Sequence, residues 1–538
     1  MAKDRSQFLK SSLGVALATF ASRVLGLFRV KFEALFLGGG DIASGWFLAF
    51  AIPNLFRRLL GEGALGTALM PLVAEAEKSG GGAKVRRELA TVFAMLGLLL
   101  AAIVVVVSGG AMLLSRLTAG GTGFFATPRM RICLALLPLL MPYAFFICLV
   151  GVIGSVLNYS RVFVLPALGA LLLNIFLIGG FYAGWKLCGN DLGEVRNFLP
   201  VLSFLVLASG AVQLVLMLVL LKVYGRFPSW TGEAFRDRGI VKRLWKLALP
   251  GMIGGAALQV SFLADRLLAM LIGDRAVPAL TFADRIIDLP IGIFAMSLGT
   301  VLMAAMARSA ASGDREELVG DLAFGLRHVY FVCMPLAALV VFFHEPMLRL
   351  LCLGGNYRIE HLTAARWVMI FYGMGIPCFC SIKVILPAFY ARKVMDKPLY
   401  SSLAAIALNI ALNLILMWPL KQGGIALATV LSSLANNTIL LYLLRREGFV
   451  LPEREIVGAG VRSLGLAALI GWGCFELHRF WYGGGLRTWK AELGIFCAVA
   501  AVFAVVYLVA AVFCRAREPG EFLQLLRRRA SASGAKAA

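Results

Sequence analysis

Ser22-Arg23-Val24-Leu25-Gly26-Leu27-Phe28-Arg29 and Ile52-Pro53-Asn54-Leu55-Phe56-Arg57-Arg58 place guanidinium groups inside the first two apolar segments of the chain. A charge at bilayer depth costs about 3 kcal/mol or more, so it persists only beside a partner or a water-filled cavity. Arg23 lies about twelve residues into its segment, roughly 18 Å at 1.5 Å per residue, close to mid-membrane. Arg57 and Arg58 reach a similar depth from the opposite face. Pro53 removes a backbone donor and kinks its helix, and Gly61 and Gly63 loosen the turn after the arginines. Irregular backbone at that depth is tolerated where it lines protein or water. The pattern implies an anion site within a membrane.

Composition agrees. Of 538 residues, 60% are hydrophobic and 15% charged, outside the range of soluble domains. Apolar runs of about 20 residues, enough to span a bilayer, recur about fourteen times from near residue 13 to near residue 514. The fold class expected is therefore an all-α polytopic membrane protein. Its formal charge of +23 follows topology rather than nucleic-acid binding. Clusters such as Lys78, Lys84, Arg86 and Arg87, then Arg392, Lys393 and Lys397, then Arg445 and Arg446, fall on alternate loops. Roughly 28 basic residues lie on one side and about 12 on the other, which assigns both termini to the cytoplasm. No cleavable signal peptide is expected, since the first apolar segment is too long and too charged.

The chain repeats internally. Gly66-Thr67-Ala68-Leu69-Met70 in the second span is matched by Gly299-Thr300-Val301-Leu302-Met303 in the eighth. Leu173-Asn174-Ile175 is matched by Leu408-Asn409-Ile410, and Pro142 by Pro377. A shift of six spans preserves orientation, so the halves are parallel repeats, an arrangement whose binding site is expected between them. The expected division is a first lobe at 1–223, a second at 224–447, two appended spans at 448–514 and a basic tail at 515–538.

The candidate site follows from charge. Spacing of four residues makes Glu33 a partner for Arg29 and Glu62 a partner for Arg58, while for Arg23 and Arg57 it names no acid. In the second half, Phe282-Ala283-Asp284-Arg285-Ile286-Ile287-Asp288 opens the eighth span, after Asp265-Arg266 near the end of the seventh. Asp265, Asp284 and Asp288 are candidates to balance Arg285, and Lys383 either reaches the same cavity or snorkels. Gln259, Asn174, Asn409 and Asn413 fit interhelical hydrogen bonding. Arginine suits phosphate because a planar guanidinium makes paired hydrogen bonds and stays charged.

Enzyme signatures are missing. The sequence has no G-x-x-x-x-G-K-[ST] loop, no H-E-x-x-H and no G-x-S-x-G elbow. His328, His344, His361 and His478 are scattered, and Cys378 and Cys380, the one close cysteine pair, lack the companions of a metal site. No cofactor or metal is expected, and coupling to the membrane potential or to an ion is the expected energy source.

Ser22-Arg23-Val24-Leu25-Gly26, Pro53-Asn54-Leu55-Phe56-Arg57-Arg58 and Glu62-Gly63-Ala64 together resemble the amino-terminal signature of the MurJ/MviN lipid II flippases, within the MOP exporter superfamily. Phe282-Ala283-Asp284-Arg285 with Leu298-Gly299-Thr300-Val301-Leu302, and Ala388-Phe389-Tyr390-Ala391-Arg392 with Pro398, extend the similarity over essentially the whole chain. The resemblance implies two six-helix lobes, alternating access across the bacterial inner membrane, and a groove for the undecaprenyl tail at the last two helices. It implies lipid II as the substrate, with membrane lipids and cell-wall synthesis machinery as neighbours and no nucleic acid. Motif matching carries the substrate-binding role to Arg23, Arg29, Arg57, Arg58, Glu62 and Arg285. Relatives usually have Asp where this chain has Ser44; Asp41, three residues earlier, is the stand-in and a further charge-balancing candidate. Val30 stands where an acid often follows the second arginine.

Three other readings compete. Another MOP-type exporter, for undecaprenyl-linked oligosaccharides or cationic drugs, is nearest, though an arginine-rich cavity repels cations. A polytopic glycosyltransferase needs a catalytic carboxylate in a sizeable outer loop, which the sequence lacks. A non-transporting scaffold leaves the buried arginines unexplained.

Overall fold

The computed structural model describes residues 2–61, 63–230, 239–292, 296–482 and 488–521. Glu62 and most of the basic tail lie outside the described residues. The architecture is helical: α1 (Ala2–Leu37), α2 (Asp41–Phe56), α3 (Ala64–Leu117), α4 (Pro128–Tyr159), α5 (Val164–Cys188), α6 (Leu192–Val223), α7 (Gly239–Ile272), α8 (Ala276–Pro290), α9 (Met296–Ser312), α10 (Arg315–Cys352), α11 (Ile359–Tyr390), α12 (Asp396–Leu420), α13 (Gln422–Arg446), α14 (Glu453–Tyr482) and α15 (Trp489–Phe513). Among the described residues, eleven helical runs are long and apolar enough to cross a membrane. One of them, Asp41–Leu117, contains the second and third expected spans, turned at Gly81, whose φ of +63° suits glycine. The eighth expected span is divided between α8 and α9, and α1 carries the first.

Two compact units divide the chain. The first contains Met1–Thr281 with Cys352–His361, and the second contains Phe282–Leu351 with Leu362–Ala538. The repeat boundary expected near residue 223 and this boundary are different quantities. The first follows sequence correspondence, whereas the second follows packing, and α7 packs on α3 and α2 within the first unit.

In the first unit, α4 is the hub, buried against α2, α3 and α6. The closest approach is backbone to backbone. Gly151 of α4 sits on Gly61, and a Cβ there would fall on the Gly61 carbonyl and lie 2.8 Å from its Cα. Small residues permit this contact, and it seats the segment carrying Arg57 and Arg58. Gly151→Leu is expected to destabilise the protein by about 1–3 kcal/mol and to lower its melting temperature in detergent. A Gly151→Leu variant that melts like the wild type would show that the contact is dispensable.

The segment between α10 and α11 belongs to this unit and caps α1. A helix leaves its last carbonyls without helical donors. Here the Asn356 backbone N–H donates to the Leu35 carbonyl (2.9 Å), its side-chain amide to the Phe36 carbonyl (2.7 Å), and Lys31 Nζ to the Leu353 carbonyl (2.9 Å). Gly355, at φ +56°, rests on the Leu35 carbonyl, where a side chain would collide.

In the second unit, α14 and α15 pack on α10. Phe331, Phe343, Ala467, Val499, Phe503 and Tyr507 form one buried cluster. The Tyr507 hydroxyl donates to the Phe331 carbonyl (2.9 Å) and Trp489 Nε1 to the Leu350 carbonyl (2.9 Å). The outer faces of α14 and α15 are apolar and exposed at Leu469, Trp472, Val505 and Phe513, as helices against acyl chains require. Residues matched in the sequence between the halves sit in similar packing within each unit. Gly66 abuts Ser155 of α4, and Gly299 abuts the backbone of Lys383 in α11, the corresponding helix. Asn174 and Asn409 are both buried.

Glu447, just after α13, is ion-paired with Lys397 and Arg392 from the segment joining α11 to α12. Burial alone would raise its pKa, but the Lys397 and Arg392 bonds outweigh it and hold the carboxyl below its ordinary 4.5. A depressed carboxylate stabilises the fold above its unfolded pKa, and that contribution is lost as pH falls through the folded value. Glu447→Gln is therefore expected to cost about 1–3 kcal/mol near neutrality. The gap between the two melting temperatures should close below pH 4.5. A gap independent of pH would assign the effect to packing.

Candidate functional site

The α-helical ladder of α2 gives way after Phe56 to one π turn, Arg57–Gly61. Pro53 lies one turn earlier and Gly61 ends the turn against α4, so the irregularity has a local cause on each side. The wider turn presents two consecutive arginines on one unit of backbone.

Arg57 is half-buried, and its Nε donates to Asn54 Oδ1 at 3.1 Å. One of its partners is thus an amide three residues back, which a search for acids overlooks. Arg58 is exposed and turns to α7. Its Nη1 donates to Gln259 Oε1 at 3.3 Å, and its Cζ lies 5.6 Å from the centre of the Phe262 ring. Arg266, four residues along α7 and buried, lies 4.7 Å from the same ring centre. Gln259, Phe262 and Arg266 occupy one stripe of α7 at spacings of three and four residues. Phe262 and Arg266 were not among the expected site residues. Their signal was their register with Gln259, which becomes meaningful only once α7 is known to face the π turn.

Arg29 is held by the protein itself. Its Nη1 donates to Asn174 Oδ1 of α5 (2.9 Å), and its Nε lies 3.5 Å from Oε1 of the fully buried Glu33. Asn174 in turn donates to the Ser22 carbonyl (3.2 Å), beside Arg23, which is half-buried on α1. Arg29 is an interhelical tie through Asn174 as well as a cation, and its pair with Glu33 is the one its spacing named.

The acidic candidates separate. Asp41 opens α2, where a carboxylate favours the helix dipole, and pairs with Arg129 Nη1 at 3.5 Å. It lies sixteen residues before Arg57, about 24 Å along a helix, and so does not stand beside the arginines. Ser44 is buried and donates to the Asp274 carbonyl, so it fastens α2 to the end of α7. Asp265 is buried on α7 in the first unit. Asp284 and Arg285, both half-buried, and the exposed Asp288 lie on α8 in the second unit, and Lys383 is exposed on α11. Glu62 lies outside the described residues. The structure thus brings Arg57, Arg58, Gln259, Phe262 and Arg266 together, ties Arg29 to Asn174, and sets Asp41 apart.

Guanidiniums gathered among apolar helices repel one another more strongly than in water. An anion with several oxygens relieves that repulsion and accepts their paired donors. The arrangement can hold a phosphate-bearing group.

Residues 34–489 match the family described as Lipid II flippase MurJ. A probable lipid II flippase MurJ of Rhizobium tropici is 30% identical, over 98% of this chain and 99% of its own length. The lipid II flippase MurJ of Burkholderia cenocepacia is 26% identical, over 93% and 96% respectively. Among solved structures, a lipid II flippase MurJ in an inward closed conformation shares the fold, with a TM-score of 0.72 and 21% identity over 93% of this chain and 99% of that one. An inward-facing MATE family multidrug resistance transporter of the MOP superfamily shares it at a TM-score of 0.66 and 15% identity, over 79% and 95%. The chain belongs to the lipid II flippase MurJ family.

Proposed function

We propose that this protein carries lipid II, an undecaprenyl diphosphate bearing the disaccharide-pentapeptide precursor of peptidoglycan, from the inner to the outer leaflet of the bacterial cytoplasmic membrane. It does so by alternating access and catalyses no covalent step. The observation that carries this reading is the π turn that delivers Arg57 and Arg58, beside Gln259, among apolar helices of a chain of this family. A guanidinium pair matches the diphosphate, the one part of lipid II with concentrated charge. Both termini lie in the cytoplasm, as the loop charges favour. The membrane potential supplies the work, since the sequence has no phosphate-cradling nucleotide loop. Its neighbours are membrane lipids and the cell-wall synthesis machinery.

The test is reconstitution. Vesicles containing the purified protein and fluorescent lipid II are given an outside-positive potential, and a membrane-impermeant quencher reports lipid reaching the outer leaflet. Transfer well above that of protein-free vesicles is expected. Equal transfer in both would refute the reading.

A further inference from the structure

The hairpin between α10 and α11, which caps the last turn of α1, is closed by a histidine. Gly354 and Tyr357 exchange both backbone hydrogen bonds (3.1 and 2.9 Å), with Gly355 between them in the left-handed region that glycine permits. This turn puts Asn356 onto the carbonyls of Leu35 and Phe36. From Tyr357 the chain folds back onto His361. The Arg358 backbone N–H donates to His361 Nδ1 (3.0 Å), and the Tyr357 hydroxyl donates to the His361 carbonyl (3.2 Å). The imidazole rests on the connection between α1 and α2, where a Cβ at Gly39 would lie 2.6 Å from His361 Cβ and Cγ. Arg275, just after α7, pairs with Glu360 at 2.8 Å.

The Arg358 bond defines the state of the ring. A backbone N–H can only donate, so Nδ1 accepts and carries no proton. An imidazolium has N–H groups on both nitrogens, so a proton added to Nδ1 sets two donors face to face and removes the bond. The Gly39 backbone, packed against the ring, limits any turn away. The charged groups around it are two acids and two bases, Asp274 and Arg275 from the α7–α8 turn and Glu360 and Arg358 from its own segment. Tyr357, its ring centre 5.3 Å away, is the other titratable neighbour. The hairpin belongs to the first unit, whereas the bulk of α10 and α11, the helices it joins, belongs to the second. Chain connectivity alone makes this cap bear the strain of any movement of either unit.

We propose that the hairpin is an acid-released latch, in which neutral His361 holds the Asn356 cap on α1 and protonation of its ring lets the cap go. The proposal rests on the topology given above for one point, that this end of α1 faces outward and takes its protons from that side. The contribution of the Arg358 bond is present while the ring is neutral and is lost as pH falls through the value at which it protonates.

The test is hydrogen exchange of the full-length purified protein in lipid nanodiscs, without substrate. Exchange is followed at about pH 8 and about pH 5, on either side of the ordinary imidazole value of about 6.5, and corrected for the intrinsic rate. In the wild type, protection of the Asn356 amide is expected to fall by about tenfold at the lower pH, the size of one net hydrogen bond. His361→Asn offers Oδ1 as an acceptor in place of Nδ1 and takes up no proton, so it should keep its protection at both pH values. His361→Ala should be poorly protected at both; should it fail to fold, the wild type and His361→Asn decide the matter. Protection within α4 should not change with pH. Wild-type protection of Asn356 that does not change between the two pH values would overturn the proposal. An equal loss in His361→Asn would overturn it too, because another group would then be titrating. So would an equal loss in α4, which would report opening of the whole protein. Since no substrate is present, each of these results leaves the lipid II reading intact.

Discussion

Replacing Arg57 with alanine is expected to abolish lipid II translocation while the protein still inserts and accumulates normally. Arg57 sits on an irregular turn, half-buried, with its Nε on Asn54. That bond orients the guanidinium from one edge. Truncating a charged group that is paired in a partly desolvated site costs about 2–5 kcal/mol. That corresponds to a loss of roughly 30-fold to several thousand-fold in binding. Arg23→Ala is expected to behave likewise, because its position in the first apolar segment is expected to fall near mid-membrane. Lysine should restore only part of the function at either position, since it offers a point charge without the planar fork. Arg29→Ala should fail differently. Its removal takes away the contacts that tie it to Asn174 and Glu33 inside the unit, so the protein should become less abundant and melt earlier. Complementation of a flippase-deficient strain, scored beside protein abundance, separates these cases. Full complementation by Arg57→Ala at normal abundance would contradict the assignment.

The second large effect concerns energy. Collapsing the membrane potential is expected to reduce outward transfer of lipid II sharply. Each charge that crosses is worth about 2.3 kcal/mol per 100 mV. A diphosphate crossing unaccompanied would thus be driven outward by about 4.6 kcal/mol, more than three orders of magnitude in equilibrium ratio. Arginines that travel with the substrate cancel part of this charge, so the observed dependence also reports how many of them move. Transfer should be measured across imposed potentials at fixed pH. A rate that does not change under verified depolarisation would remove the potential as the driving force.

Much of the fold was legible because a bilayer leaves few solutions. Runs of apolar residues must be helices there, so the helical class could be expected, and residues such as Gly66 with Gly299 and Asn174 with Asn409 could be matched between the halves. The pairing of Arg29 with Glu33 was readable from spacing alone. What could not be read depends on which distant helices touch. The Gly61–Gly151 contact joins residues 90 positions apart, and nothing in either neighbourhood names the other. The cap placed on α1 by Asn356 comes from a short polar loop that resembles any other connection. At the site, Gln259 had been named for interhelical hydrogen bonding and does accept from Arg58, while the amide at Asn54 and the ring at Phe262 went unforeseen. Asp41, named as the stand-in for the acid that relatives carry at Ser44, is set far from Arg57 by helix length and pairs with Arg129 instead. Asp274 offers a main-chain carbonyl to Ser44, so the position where relatives carry an acid serves here as a fastening.

The most direct measurement of the central claim is made in cells. The protein is depleted, and lipid II exposed on the outer leaflet is labelled with a reagent that cannot cross the membrane, while total lipid II is measured in parallel. Outer-leaflet lipid II should fall as inner-leaflet lipid II accumulates. Restoration should follow expression of the wild type but not of Arg57→Ala. Unchanged outer-leaflet labelling after verified depletion would contradict the claim that this protein moves lipid II across the membrane.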